Sequence, residues 1–307
     1  MKICLWTDTT WAFGRLANAL KAYSRHKISI IKWSTRQHDW DKFDLVHTPV
    51  WYAASQFKHL FQTQTPICHA VHGPAELFNT NGLGYHRTIT EKEVERCRIP
   101  PEVIDIFNRQ RAVALPNREL INLLRPQVDC DLCYTPYGVS NEFFQPLQQM
   151  PLTVLCPAAP HQFEGKIHGY DVKRWYLAQQ IAKRLPNIQF KFIPRRLELN
   201  EMPAYYRQGN VLLCVAHSEG GPQAHLEAGA GGVVPLSTRV GHVPEIIIPG
   251  YNGEILTGNI VNESVRILSE WNKNGVVLMQ SRIIKTLEER RWARVIKYWD
   301  DFFDRSV

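Results

Sequence analysis

Several common features are missing from this chain of 307 residues, and each absence excludes something. No run of 18 or more apolar residues occurs, so no membrane-spanning helix is expected. The opening MKICLWTDTTW turns polar after six residues and does not read as a secretory signal. Seven cysteines are an odd number for a disulfide framework. Cys4, Cys68, Cys156 and Cys214 sit in apolar runs, and Cys130 and Cys133 form a C-x-x-C with no second pair, as a zinc site would need. Together these predict a reduced, cytoplasmic setting. There is no internal repeat, no low-complexity tract and no recognised nucleic-acid-binding module. The net charge of +7 is not gathered into a tail: residues 1–148 hold 17 Lys and Arg against 14 Asp and Glu, and the remainder 19 against 15. Such a spread is compatible with an acidic small molecule, an anionic membrane surface or a nucleic acid, and selects none of them.

What is present is a repeating alternation of short apolar runs with helical periodicity. Strands are expected at residues 2–7, 27–33, 44–48, 66–71, 113–115, 132–135, 152–156, 189–193, 211–216 and 233–237. This rhythm predicts an α/β protein with parallel sheets. Ligands of such sheets bind at the carboxyl ends of the strands, which puts the loop Asp8–Gly14 and the segment His72-Gly73 in functional positions. Residues 276–303 read as one helical stretch. Its stripe of Trp292, Val295, Ile296 and Trp299 should face a core, and Arg290, Arg291, Arg294 and Lys297 should face solvent, where they suit peripheral membrane contact.

The densest chemistry lies between Val211 and Leu256. An apolar strand runs into His217-Ser218-Glu219-Gly220-Gly221, and Pro222 occupies the first position of a short helix. A glycine-lined strand-to-helix corner offers unpaired backbone N–H groups and the positive end of a helix dipole, which suits a phosphate or pyrophosphate. Gly220 and Gly221 permit close approach to the backbone. Glu219 stands before the corner and Glu227 inside the helix, eight residues on. That rise is roughly 12 Å, wider than the ~5–9.5 Å separating the carboxyl pair of a glycosidase. Two carboxylates at opposite ends of one extended ligand fit better.

The ordered set Glu219-Gly220-Gly221-Pro222, Glu227-Ala228-Gly229-Ala230-Gly231, Gly241 to Glu245 and Asn252-Gly253 resembles the donor-site signature of the retaining GT-B glycosyltransferases of the GT4 type, the glycosyl transferases group 1. The resemblance implies two Rossmann-like, doubly wound domains facing a central cleft. On this reading residues 1–148 form an acceptor-side domain and 149–280 a sugar-nucleotide-binding domain, and 281–307 form a helix that crosses back to the first. The implied reaction moves a hexose from a nucleotide-diphosphate sugar, with a UDP-sugar favoured, to an acceptor hydroxyl. Gly220, Gly221 and Pro222 would hold the diphosphate, Glu227 the ribose, and Glu219 and His72 the sugar as the catalytic pair.

Departures from the pattern are informative. Gly221 replaces the usual aromatic residue. The first loop keeps only Gly14 of a glycine pair, in Trp11-Ala12-Phe13-Gly14-Arg15. Trp11, Phe13, Gly14 and Arg15 are placed on the acceptor side, although Trp11 and Phe13 equally suit a core-capping role. Tyr137 replaces Asn in the segment that closes the first domain. The family's phosphate-binding arginine is missing near Ala158. Lys166 matches its lysine, and Arg195 or Arg196 is the expected replacement, with two solvated surface arginines as the alternative. The unit the family fits between residues 196 and 210 is compressed. No cofactor and no metal are expected, on the reading that the chain carries no Asp-x-Asp metal motif. The acceptor implied is an envelope glycan or glycolipid. The alternatives are a DNA glucosyltransferase of viral type acting on hydroxymethylated bases, in a host cytoplasm, and a sugar-nucleotide-binding protein without transfer.

Overall fold

The computed structural model describes residues 1–7, 9, 11–35, 38–50, 63–73, 77, 99–157, 173–193 and 197–307, with Trp11 and Ala12 described in their backbone only. The chain divides into two compact units: Met1–Gly138 with Trp292–Val307, and Val139–Arg291. The divisions fall at residues 138 and 291, where the sequence was divided at 148 and 280. A local reason is visible in the second unit. Val139 pairs with Arg291 in a parallel bridge, and the Val139 N–H donates to the Arg290 carbonyl at 2.8 Å.

The first unit is one six-stranded sheet. Its strands are β1 (Lys2–Thr7), β2 (Lys27–Lys32), β3 (Leu45–Thr48), β4 (Ile67–Ala70), β5 (Ala112–Leu115) and β6 (Asp131–Tyr134). They lie in the order β2-β1-β3-β4-β5-β6, all parallel, with Ile3 opposite both Ile28 and Leu45. Every residue of β3 and β5 is buried, as expected of parallel strands covered on both faces. Helices α1 (Trp11–Tyr23), α2 (Pro101–Asn108) and α3 (Arg118–Leu124) connect them. Asn117 caps α3, its side chain accepting from the Leu120 N–H at 2.7 Å.

The second unit carries β7 (Thr153–Cys156), α4 (Trp175–Arg184), β8 (Gln189–Phe192), α5 (Met202–Tyr206), β9 (Val211–Cys214), α6 (Gln223–Ala230), β10 (Val234–Thr238), α7 (Val243–Ile246), β11 (Glu254–Leu256), α8 (Ile260–Asn274) and α9 (Val277–Leu287). Its five strands are parallel in the order β11-β10-β9-β7-β8. Val154, Ile181, Val211, Val234, Leu236 and Leu268 form the heart of its core.

Both orders contain a point at which the sheet reverses its direction of growth, between β1 and β3 in the first unit and between β7 and β9 in the second. The carboxyl ends of strands flanking such a point leave a crevice, the usual ligand position in open parallel sheets.

Three sequence expectations are corrected. The segment Asp8–Gly14 is not a loop throughout, because α1 begins at Trp11. Gly14 belongs to the first turn and presses on the Thr9 backbone so closely that a Cβ would collide with the Thr9 carbonyl; the residue serves close approach and not loop flexibility. Residues 276–303 are not one helix. A 3-10 turn at Glu288–Arg290 and the extended Arg291 separate α9 from α10 (Trp292–Arg305). Arg290, expected on the solvent side, is 9% exposed and paired with Glu245. Arg294 and Lys297 are exposed as expected.

The α10 helix belongs to the first unit. Its Trp299, Phe302 and Phe303 are fully buried, the Trp299 indole N–H donates to the Pro136 carbonyl at 3.1 Å, and Ser24 donates to Asp300 at 2.5 Å.

Candidate active site

In the second unit the functional residues gather on the loop between β9 and α6. Val211–Cys214 is an interior strand, apolar because both of its neighbours and both faces are covered. The chain leaves it through a polar loop and enters α6 at Pro222, the N-cap. Proline there supplies no side-chain hydrogen bond, so no cap side chain claims the first-turn N–H groups. Gly241 lies against this corner. Its φ of +51° is left-handed, and a Cβ on it would strike the Gly220 carbonyl. The turn after β10 therefore rests directly on the backbone of the Glu219–Gly220 step, and only glycine satisfies both demands.

Glu219 is ion-paired with Lys173, their side chains 18% and 35% exposed. Burial lowers the Lys173 pKa, but the adjacent Glu219 carboxylate outweighs it and the net shift is upward. The ammonium stays charged, and it bears on the buried His225 as well. Lys173 was not anticipated: its contact with Glu219 spans 46 positions, which no local pattern encodes.

Glu227, inside α6, is 3% exposed and accepts a 3.1 Å hydrogen bond on Oε2 from the Tyr206 hydroxyl. Tyr206 comes from α5, a single turn that is all the described chain fits between residue 197 and β9 apart from a 3-10 turn at Leu199–Glu201. The compressed stretch thus supplies a partner to the carboxylate.

Behind the corner stand two buried histidines. His225 contacts Ser237 Oγ through Nε2 at 2.8 Å, and its pKa is pushed down to about 3 by burial and then by the charge of Lys173. His242 is fully buried, and burial, the Arg290 guanidinium and His225 push it well below the ordinary value. Arg290 and Glu245 close this region with a 2.7 Å ion pair. Asn252 is also fully buried. It closes the Asn-Gly turn by accepting from the Ile248 N–H at 2.7 Å and donating to the Ile246 carbonyl at 2.9 Å.

In the first unit, Phe13 and His72 meet, with ring centroids 4.6 Å apart. His72 follows β4, is half-buried, and bonds through Nδ1 to the Tyr137 hydroxyl. Burial pushes its pKa down to about 4. Arg15 is half-buried on α1. His47 and His69 lie in the adjacent strands. His47 contacts Cys68 Sγ at 3.4 Å, and His69 contacts Thr48 at 2.8 Å. The Thr48 hydroxyl donates to the Val50 carbonyl, so it accepts from His69. Burial drives both histidines down, to about 3 for His47 and about 4 for His69.

The structure therefore places Glu219, Gly220, Gly221, Pro222 and Glu227 on one strand–helix corner of the second unit, and Phe13 beside His72 in the first. Lys166, Arg195 and Arg196 lie outside the described residues, as does the Trp11 side chain. Among the described residues no three His, Cys, Asp or Glu side chains gather as metal ligands do, and no helix is long and apolar enough to cross a membrane. The expectation of no Asp-x-Asp spacing is corrected: Asp39/Asp41 and Asp129/Asp131 have it, and both lie in the first unit. There Asp41 accepts from Thr63 and Gln64, and Asp129 accepts from Asn108.

Two all-parallel, doubly wound units, the second with a glycine corner and acidic residues at its switch point, define a two-module α/β architecture. Comparison with known proteins makes the class specific. Residues 161–290 match the family model of the glycosyl transferases group 1. Solved structures similar along the whole chain include sucrose-phosphate synthase from Thermosynechococcus elongatus (12% identity, 99% of this chain and 98% of that one, TM-score 0.69). Anabaena Alr3699/HepE in complex with UDP-glucose is another (10% identity, 99% of both chains, TM-score 0.69). The lipopolysaccharide outer core galactosyltransferase WaaB in its apo form is a third (15% identity, 100% of both, TM-score 0.59). No curated protein sequence matches. The fold is GT-B, and the chain is a glycosyltransferase, similar over residues 161–290 to the glycosyl transferases group 1.

Proposed function

We propose that this chain is a retaining hexosyltransferase that uses a UDP-sugar and modifies an envelope glycan or glycolipid in the cytoplasm, without a metal or cofactor. The observation that carries this is the position of the glycine corner. It stands at the carboxyl end of β9, beside the switch point between β7 and β9, inside the part of the chain that matches the family. The diphosphate takes the first-turn N–H groups after Gly220, Gly221 and Pro222. Lys166 and one of Arg195 and Arg196 add positive charge. Glu227, oriented by Tyr206, accepts the ribose hydroxyls, and Glu219 and His72 stand beside the sugar. Trp11, Phe13, Gly14 and Arg15 serve the acceptor.

In the reaction the bond from the anomeric carbon to the diphosphate oxygen breaks, and the acceptor oxygen bonds to that carbon from the same face. The leaving phosphate oxygen takes the acceptor's proton, so no separate base is required. The corner's preorganised donors stabilise the charge that develops on the diphosphate. UDP-glucose in the HepE complex supports the donor, and the likeness to WaaB, a lipopolysaccharide outer core galactosyltransferase, supports a glycan acceptor.

Mass spectrometry of products after incubation with pooled sugar nucleotides and candidate acceptors tests this. The expected product is a hexosylated glycan or glycolipid together with UDP. Transfer to hydroxymethylated duplex DNA, falling steeply with salt, would replace the acceptor. Tight UDP binding with neither transfer nor donor hydrolysis would make the chain a binding protein.

A further inference from the structure

The second unit exposes apolar side chains where local rules ask for polar ones. Helix α9 starts without a cap: Val276 offers no side-chain hydrogen bond, and the first turn holds no acidic residue. Ser, Thr, Asn or Asp before that turn, or a carboxylate within it, would satisfy its N–H groups and complement its dipole. Val277 and Leu278 stand there instead, 62% and 70% exposed. Gly275, with a φ of +75°, leads from α8 into α9. A Cβ on it would meet nothing within 4 Å, so this corner projects into open space.

The same surface continues along α9. Arg282, one turn beyond Leu278, lies over the Tyr251 ring at 4.5 Å and donates to the Tyr251 carbonyl at 3.3 Å. Tyr251 belongs to the exposed turn Ile248-Pro249-Gly250-Tyr251, in which Ile248 is 57% exposed. Asn252 ties the turn to α9 by donating to Thr286 Oγ1 at 3.0 Å. Leu278, Val277 and Ile248 are the three most exposed large apolar side chains among the described residues. They are joined by a tyrosine and an arginine, each with an apolar body and a polar tip.

Charge indicates what this face meets. Residues 272–287 contain Lys273, Arg282 and Lys285 and no Asp or Glu. Among the described residues none of these three cations is paired with a carboxylate, whereas Arg266, Arg290 and Arg291 of the same unit are. Glu254, at the foot of the turn, is engaged by the Gly250 N–H at 2.9 Å. Four apolar side chains are also far fewer than the roughly 20–30 residues that each partner gives to a stable protein interface.

We infer that this face of the second unit docks on an anionic lipid bilayer. Val277, Leu278 and Ile248 enter the headgroup boundary, Tyr251 lies at headgroup level, and Lys273, Arg282 and Lys285 meet the lipid phosphates. The inference is independent of the donor and acceptor. It places membrane contact on α9 and the neighbouring turn, not on the Arg294 and Lys297 face of α10.

Co-sedimentation of the full chain with vesicles of phosphatidylcholine mixed with phosphatidylglycerol, and with vesicles of phosphatidylcholine alone, is the test. The chain should pellet with the mixed vesicles and much less with the neutral ones, and salt should release it. The double variant V277D/L278D puts carboxylates at a helix start, where they favour folding. It should keep its denaturation midpoint and lose vesicle binding roughly tenfold or more. Arg282→Gln and Lys285→Gln should each weaken binding about fivefold, and Lys297→Gln should leave it unchanged. A chain that ignores the mixed vesicles, or a V277D/L278D variant that binds them like the unmodified chain, would overturn the inference. So would a loss of binding in K297Q, which returns the contact to α10, or a dimer in sedimentation equilibrium that V277D/L278D dissolves, which makes a second copy the occupant.

Discussion

The strand ends of the first unit collect neutral rings, whereas those of the second collect charges. His47, His69 and His72 are all driven below their ordinary pKa by burial, and their described partners are a thiol, a hydroxyl, a phenol and other rings. The second unit sets Lys173 against Glu219 and Arg290 against Glu245, and these cations are what depress His225 and His242 further. One plan of sheet thus supports two kinds of surface. On the proposed function a diphosphate needs fixed donors and positive charge, and the corner, with its uncapped first-turn N–H groups and Lys173 nearby, is where they would be sought. The neutral rings of the first unit cannot neutralise an anion.

The largest way to probe the contrast is to remove a ring that completes the first unit alone. Trp299→Ala deletes a 1%-exposed side chain and orphans the Pro136 carbonyl. It should cost about 3–5 kcal/mol, read as a lower denaturation midpoint of the first unit, while isothermal titration still detects UDP binding. A full loss of UDP binding would show that the donor site does not belong to the second unit by itself.

Glu227→Gln should weaken UDP-sugar binding about tenfold to a hundredfold, the equivalent of roughly 1.5–3 kcal/mol for charge-assisted hydrogen bonds. Calorimetry showing unchanged affinity with the fold intact would remove Glu227 from the donor site.

Acid should erase the contrast, since both units bury neutral histidines. His47 and His225 bind a proton near pH 3 when folded and near 6.5 when unfolded. The unfolded chain therefore holds more protons between those values. The stability each histidine contributes is complete above pH 6.5 and is lost as the pH falls, by about 1.4 kcal/mol per pH unit and roughly 2 kcal/mol at pH 5. Denaturation profiles of His47→Gln and His225→Gln should each be flatter with pH than that of the unmodified chain.

Tyr206→Phe is the finest probe. It removes only the phenol that donates to Glu227 and should cost donor affinity twofold to tenfold, about 0.5–1.5 kcal/mol. An effect as large as that of Glu227→Gln would mean that the phenol, not the carboxylate, meets the ligand.

Sequence patterns reach some of these features and miss others for physical reasons. The apolar runs of β1, β5, β7 and β9 are visible because parallel strands are buried on both faces. The Gly220–Pro222 corner is visible because its conformation demands particular residues. The partner of Glu219 is not, because Lys173 arrives through the fold and not through spacing. Helix α8 lies within reach of pattern: the Asn259 N-cap and the stripe of Val261, Val265, Leu268 and Trp271 at helical spacing mark it. The start of α1 was hidden by Gly14, which signals a loop from sequence and proves to be a contact point with Thr9.

The route of the chain has a consequence for its biosynthesis. The second unit is one uninterrupted stretch, Val139–Arg291, set within the first. On the ribosome it can finish folding while the first unit still lacks Trp299, Phe302 and Phe303. The earlier-made sheet must wait, with its apolar seat for α10 uncovered, until that helix has emerged. A chaperone that shields that seat during synthesis would act on the first unit and leave the second alone.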